Sequence, residues 1–214
     1  MASATGTGGE PAARSRVAVL LSGRGSNYRA LQEAVDRGRI PAEIVLVVSN
    51  VPGAAGLEAA ATAGVPTRLI PHRSEPDRRT HEAKVLAALD QARVEWVCLA
   101  GYMRLLSAEF VERYRWRILN IHPSLLPSFP GLDVHRQALD YGVQVSGCTV
   151  HLVDAGLDSG PIVVQRAVPV LEDDTPESLA ERILVEEHHA YPEALRRLLR
   201  EPWRVEGRRV RFHA

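Results

Sequence analysis

Residues 16–27 read RVAVLLSGRGSN, an unbroken apolar run followed by a turn rich in glycine and serine. The five apolar residues at 17–21 predict a strand that is buried on both faces, as in parallel sheets. A helical pattern begins directly after the turn, at Asn27. A strand, a tight turn and a helix in this order predict the first crossover unit of an α/β domain.

The rest of the chain repeats this alternation, which predicts an α/β fold with a largely parallel sheet. The predicted strands cover residues 17–21, 44–49, 67–70, 94–100, 117–121, 146–154 and 162–170. The predicted helices cover residues 27–37, 54–63, 77–92, 108–114, 134–141 and 176–199. Residues 203–205 and 209–212 flank Glu206-Gly207 and predict a terminal hairpin. Thr175 and Pro176 have the residue types expected at the start of the last helix.

Composition and charge place the chain in the ordinary globular class. It has 214 residues, 45% of them hydrophobic, with 26 basic and 26 acidic side chains. Because the formal charge is zero, no overall field favours nucleic acid or an anionic membrane. No apolar run is long enough for a membrane span or a signal peptide, and two distant cysteines do not indicate a disulfide framework. We therefore expect a cytoplasmic protein with no nucleic-acid partner and no membrane association.

The chain has no internal repeat and no clear linker. Residues 1–15 are rich in Gly, Ala, Ser and Thr and predict a disordered tail, because they bury too little apolar surface to offset the entropy of ordering. Residues 16–214 are expected to form one domain.

The glycine-rich turn indicates an anion site. Free amides and the helix dipole at the start of the first helix can bind phosphate, and Gly25 lets the backbone approach it. A plain strand-to-helix turn is the alternative. Tyr28 occupies the third glycine position of a dinucleotide fingerprint, no carboxylate follows the second strand, and the lysine of a triphosphate loop is missing. A monophosphate therefore fits better than NAD or a nucleoside triphosphate.

Asn120 and His122 lie at the carboxyl end of a predicted strand and, with period two, on one face of it. An amide donor and a proton-carrying imidazole suit an oxygen that becomes negative during reaction. Asp158 follows the next strand in a glycine-flanked loop, and a carboxylate near His122 would favour its charged form and make it a general acid. Structural roles for the Asn–His pair and a turn-forming role for Asp158 are the alternatives. The eight histidines show no metal-ligand spacing, so no metal is expected.

Four segments in this order resemble the phosphoribosylglycinamide formyltransferase family of folate-dependent enzymes. They are residues 22–27, SGRGSN; 100–106, AGYMRLL; 120–127, NIHPSLLP; and 147–160, which ends in DSG. The resemblance runs from about residue 16 to residue 199. It implies a Rossmann-like three-layer α/β/α domain with a mostly parallel, mixed central sheet. The substrate phosphate site would lie in its amino-terminal half, and the folate and catalytic loops in its carboxyl-terminal half.

The resemblance also implies a reaction and its residues. The formyl group of 10-formyltetrahydrofolate, a co-substrate, would pass to the amine of glycinamide ribonucleotide in purine biosynthesis, without metal or nicotinamide. The implied catalytic residues are Asn120, His122 and Asp158. The implied substrate-binding residues are Gly25, Ser26, Asn27 and Glu187, while the implied folate-binding residues are Arg79, Met103, Arg104, Leu105, Leu106 and Asn120. Leu184 departs from the pattern, since relatives often carry a glutamine there.

Related chemistry leaves alternatives open. They are a formyltetrahydrofolate hydrolase, another formyl-folate-dependent transferase such as the methionyl-tRNA enzyme, and a noncatalytic nucleotide-binding module. We expect no extra tRNA-binding or regulatory domain, since about 15 residues precede the first predicted strand and 15 follow the last predicted helix. The neutral charge also argues against a tRNA partner. Self-association into a homodimer stays open.

Overall fold

The computed structural model describes residues 14–213. The predicted tail lies outside these residues except for Arg14 and Ser15, and Ser15 is the first residue of a strand rather than part of a tail. The strands are β1 Ser15–Leu21, β2 Ala42–Ser49, β3 Thr67–Leu69, β4 Trp96–Leu99, β5 Ile118–His122, β6 Val145–Leu152, β7 Ile162–Pro169, β8 Trp203–Glu206 and β9 Arg209–Phe212. The helices are α1 Ser26–Asp36, α2 Ala55–Thr62, α3 Arg78–Gln91, α4 Ala108–Arg113, α5 Val134–Tyr141 and α6 Pro176–Arg200.

Every predicted strand and helix is confirmed, and no end differs by more than two residues. The terminal hairpin is confirmed as β8 and β9, which pair antiparallel. Thr175 is the N-cap of α6, where its side chain accepts from the backbone of Ser178 and Pro176 begins the helix. A short 3-10 helix at His72–Ser74 was not predicted. The elements were predictable because their caps and periodicities are local features.

All nine strands form one sheet in the order β3-β2-β1-β4-β5-β6-β7-β9-β8. The strands from β3 to β5 are parallel, but β6 runs antiparallel to both β5 and β7. β7 again runs parallel to β9, so the expected mixed, mostly parallel sheet is confirmed, with antiparallel pairing at β5–β6, β6–β7 and β8–β9. Residues 153–161 join β6 to β7 without a helix. A connection of this kind returns the chain antiparallel.

Two apolar cores cover the two faces of the sheet, which makes the three layers. One core packs α1, α2, α5 and α6 against the sheet, through residues such as Leu31, Ala60, Ala138 and Ile183. The other packs α3 and α4 through Val85, Leu89 and Phe110. The residues of β1 from Val17 to Leu21 are completely buried, as the sequence predicted. No helix among residues 14–213 has the length and apolar character needed to cross a membrane.

The topology fixes where a ligand can bind. β1 lies between β2 and β4. The chain therefore adds β2 and β3 on one side of β1, and β4 and β5 on the other side. A crevice forms outside the carboxyl ends of strands at such a switch point. The backbone amide of Ser22, after β1, donates to the carbonyl of Gly101, after β4, at 3.1 Å. The glycine-rich turn and the predicted folate segment are therefore neighbours.

Candidate active site

The glycine-rich turn packs directly against the start of α2. Gly25 has φ 73°, and a Cβ built on it would lie 2.4 Å from Cα of Gly56. The Gly56 amide donates to the Gly23 carbonyl at 3.0 Å. α1 begins at Ser26 without a side-chain cap, so its first amides are free for an anion. Gly56 was not singled out from the sequence, because only the close approach of two distant backbones explains its need for glycine.

Asn27 connects α1 to α6. Its Nδ2 donates to Oε2 of Glu187 at 2.7 Å, and both side chains are buried. Burial raises the pKa of Glu187, while the hydrogen bond from Asn27 opposes that shift. Oδ1 of Asn27 is buried and has no partner among the described residues. Two residues 160 positions apart, both predicted to bind substrate, therefore lie in contact.

The predicted folate segment, residues 103–106, is attached to the turn after β1. The Met103 amide donates to Oγ of Ser22 at 2.9 Å, and that hydroxyl donates to Oδ1 of Asn50 at 2.6 Å. Met103 and Leu105 are 67% and 60% exposed, whereas Arg104 and Leu106 are half-buried. Exposed apolar side chains beside a crevice can cover the flat face of a ring system.

Arg79 lies in the first turn of α3, whose N-cap is Asp77. Its side chain is exposed, and so is that of Arg78. Within residues 14–213 Arg79 makes no side-chain hydrogen bond or ion pair. The fold therefore gives no preference for Arg79 over its neighbour.

The predicted catalytic side chains of Asn120, His122 and Asp158 are connected at the β5–β6 pair, with Asn120 joined to the other two through His151. Nδ1 of His122 lies 3.5 Å from Oδ2 of Asp158, and the other carboxylate oxygen lies 3.8 Å from Nε2 of His151. Nδ2 of Asn120 lies 3.1 Å from that same nitrogen of His151. The carboxylate of Asp158, on a residue with φ 47°, thus lies between two imidazoles.

His151 is the residue that sequence reasoning missed. It faces Asn120 directly in the antiparallel β5–β6 pair. Burial lowers its pKa and favours the neutral ring. Its Nδ1 lies 3.0 Å from the Leu152 carbonyl, which can only accept, so Nδ1 carries the hydrogen and Nε2 accepts from Asn120. Antiparallel pairing, had it been predicted, would have revealed this contact.

Both nitrogens of His122 face oxygen acceptors. Nε2 donates to the Phe129 carbonyl at 2.9 Å, opposite the Asp158 side of the ring. A doubly protonated imidazole can donate to both acceptors. Oδ2 of Asp158 also accepts from the Gly131 amide at 2.9 Å. The loop of residues 123–133 therefore contacts both partners of the pair.

No metal cluster competes with this interpretation in the described part of the chain. Among residues 14–213, no group of three or more His, Cys, Asp or Glu side chains could hold a metal ion. Cys98 and Cys148 are free and buried, and burial raises the pKa of each to about 12. Neither thiol is therefore a thiolate near neutral pH.

Comparison with known proteins gives the family. The profile described as "Formyl transferase" matches residues 15–195. Phosphoribosylglycinamide formyltransferase of Escherichia coli strain K12 is 40% identical over 176 residues, covering 82% of this chain and 83% of its own length. The crystal structure of glycinamide ribonucleotide transformylase 1 from Symbiobacterium toebii superposes with a TM-score of 0.91 at 49% identity, covering 94% of this chain and 95% of that one.

Longer proteins contain a similar segment. The trifunctional purine biosynthetic protein adenosine-3 of Drosophila pseudoobscura pseudoobscura is 54% identical over 184 residues, which cover 85% of this chain. The chain spans only 14% of the length of that relative. Since the family profile and a relative of similar length agree with the fold, the chain belongs to the phosphoribosylglycinamide formyltransferase family of formyl transferases.

Proposed function

We propose that this chain transfers the formyl group of 10-formyltetrahydrofolate to the amine of 5'-phosphoribosylglycinamide, in de novo purine biosynthesis. The products are phosphoribosyl-N-formylglycinamide and tetrahydrofolate. The observation that carries the proposal is the contact of Asp158 with His122 and, through His151, the link to Asn120, in a chain of this family.

The substrate amine attacks the formyl carbon and forms a tetrahedral species with a negative oxygen. The amide of Asn120 and the protonated ring of His122 stabilise that oxygen. The carbon–nitrogen bond to the folate then breaks, the folate nitrogen gains a proton, and the amine loses one. Asp158 stabilises the charged ring and assists the proton transfer. The 3.5 Å contact between Asp158 and His122 supports this division of roles.

His122 must exchange a contact before it can donate to the substrate. Nε2 donates to the Phe129 carbonyl, and Nδ1 faces Asp158. Since the aspartate supports the charge, we infer that the Phe129 carbonyl is the partner that yields to the formyl oxygen. A shift of residues 123–133 would accomplish this exchange.

The two substrates bind next to each other, along the adjoining glycine-rich turn and residues 103–106. The free amides of Gly25, Ser26 and Asn27 bind the phosphate, while Glu187 accepts hydrogen bonds from ribose hydroxyls. The apolar side chains of Met103, Leu105 and Leu106 cover the pterin, with Arg104 beside them. Arg79 binds an acidic group of the folate. The hydrogen bond from Met103 to Ser22 supports the proposal, because it joins the two binding segments.

The decisive experiment measures deformylation of 10-formyl-5,8-dideazafolate by absorbance, with and without the ribonucleotide. We expect turnover only when 5'-phosphoribosylglycinamide is present. Turnover without the ribonucleotide, with release of formate, would indicate a hydrolase instead. No turnover in either condition would indicate a noncatalytic binding module.

A further inference from the structure

A large cleft between α1 and α6 lies outside the cluster of Asn120, His122 and Asp158. Its volume is about 830 Å³, and none of those three side chains lines it. Ser26, in the proposed phosphate-binding turn, lies at its rim, and the cleft extends along α1 as far as Arg39 and Ile40. From its first to its last residue α1 rises about 15 Å. A single phosphate bound at Ser26 therefore leaves most of the cleft open.

The lining is strongly basic, although the whole chain has no net formal charge. Five arginines and two histidines line the cleft, against two glutamates. Both glutamates are already paired, Glu33 with Arg37 and Glu193 with Arg166. Within residues 14–213, Arg29 and Arg39 make no ion pair and no side-chain hydrogen bond. Two guanidinium groups thus remain available to an anion.

Unused polar atoms lie in the same walls. Nε of Arg166 and Nε2 of His188 are buried without a hydrogen-bond partner among the described residues. Pro192, inside α6, has no N–H and so cannot donate to the carbonyl of His188 one turn earlier. Buried polar atoms without partners are uncommon in folded proteins. These two unpartnered side-chain atoms in one cleft favour a polar ligand over an apolar one.

We propose that this cleft is an oligophosphate-binding site, for an anion that carries two or more linked phosphates. One terminal phosphate occupies the amides at Ser26, and the following phosphates lie along Arg29 toward Arg39. Guanidinium groups bind phosphate oxygens through two parallel hydrogen bonds, and several arginines spaced along the cleft favour an anion with several phosphates over a single carboxylate. The terminal phosphate shares the turn assigned to the substrate under the proposed function, so the ligand excludes the ribonucleotide.

Calorimetric titration of the full chain, without divalent metal, tests the site directly. The probes are inorganic phosphate, pyrophosphate and tripolyphosphate. We expect tripolyphosphate to bind at least about tenfold more tightly than phosphate, since charge-assisted hydrogen bonds are the strong ones. The double variant Arg29→Gln, Arg39→Gln should lose this tenfold preference for tripolyphosphate and keep its affinity for phosphate unchanged. Arg208→Gln, an exposed arginine in the β8–β9 turn, is the matched control and should keep the preference.

A competition assay completes the test. Tripolyphosphate should inhibit formyl transfer competitively against the ribonucleotide, and Arg39→Gln alone should weaken inhibition about threefold without changing the substrate KM. The proposal would be overturned if the three anions bound with equal affinity, or if the double variant still bound tripolyphosphate more tightly than phosphate. Inhibition that is not competitive against the ribonucleotide would also overturn it. Because titration needs no turnover, an inactive chain that still binds tripolyphosphate would refute the proposed function and leave this site standing.

Discussion

Nδ2 of Asn120 lies 3.1 Å from Nε2 of His151, on facing residues of the antiparallel strands β5 and β6. Because Nδ1 of His151 donates to the Leu152 carbonyl, Nε2 is an acceptor and selects the NH₂ end of the amide. The amide is therefore held in one of its two orientations, with one N–H left for another acceptor. We infer that His151 is a positioning residue, which acts on the proposed reaction through Asn120.

Replacing His151 with Phe should lower kcat about tenfold, because the amide of Asn120 loses the partner that orients it. KM for the ribonucleotide should change little, since His151 does not contact the phosphate turn. Steady-state kinetics with both substrates varied provide the measurement. His151→Gln, which keeps an acceptor, should recover part of kcat. A kcat equal to that of the parent chain in His151→Phe would refute the positioning role.

Removing either proposed oxyanion donor should lower kcat much more. We expect Asn120→Ala and His122→Ala each to lower kcat by at least about 10²–10³. Both variants should fold, since each loses a polar contact at the crevice rather than an apolar core group. Circular dichroism and thermal unfolding are the controls. If either variant keeps nearly full kcat, the proposed oxyanion role is wrong for that residue.

Gly131 connects the loop of residues 123–133 to the carboxylate of Asp158. It has φ 86°, and its amide donates to Asp158 at 2.9 Å. Gly131→Ala should strain the loop by about 1 kcal/mol and displace Asp158, which lowers kcat. Gly38→Ala is the matched control, because Gly38 also has a positive φ, 68°, and has nothing within 4 Å of an added Cβ. If both variants lost similar stability and had the same kcat, Gly131 would have no specific effect on catalysis through Asp158.

Gly56 should tolerate no side chain. A Cβ at this position would lie 2.8 Å from Cα of Gly25 and 2.7 Å from a methyl carbon of Leu21. We expect Gly56→Ala to lower the free energy of unfolding by about 1–3 kcal/mol through overpacking, and to raise the substrate KM by moving the phosphate turn. Urea unfolding and steady-state kinetics measure the two effects. An unchanged KM would mean that the turn keeps its shape without this contact.

Stability should fall as the pH drops from about 7 to 5. Burial lowers the pKa of four histidines from their usual 6.5, namely His81, His135, His151 and His188. The folded state keeps these rings neutral, while the unfolded state takes up protons below about pH 6.5. Their contribution is therefore fully present above the unfolded pKa and is lost as the pH falls through it toward the folded values.

His81→Gln tests this linkage at one site. Nε2 of His81 donates to the Ile70 carbonyl at 3.0 Å, and glutamine retains a donor. The slope of unfolding free energy against pH should decrease by up to one proton, or about 1.4 kcal/mol per pH unit. Urea unfolding at pH 5, 6 and 7 measures it, with the exposed His213→Gln as control. An unchanged slope in His81→Gln would contradict the expectation.

The sequence by itself determined the helices and strands and indicated the chemistry that we propose. Apolar runs, the glycine-rich turn and the Thr175–Pro176 cap act over a few residues, so their patterns could be read without a fold. Period two placed Asn120 and His122 on one side of a strand for the same reason. The order of four motifs then indicated the family.

The tertiary structure alone decided which distant groups meet. The antiparallel return of β6 places His151 against Asn120, the loop of Asp158 brings a carboxylate between two imidazoles, and α2 requires glycine at residue 56. The basic cleft likewise exists only because α1 packs beside α6. These contacts join residues far apart in the chain, and their geometry follows from strand order and helix packing, which local periodicity does not specify.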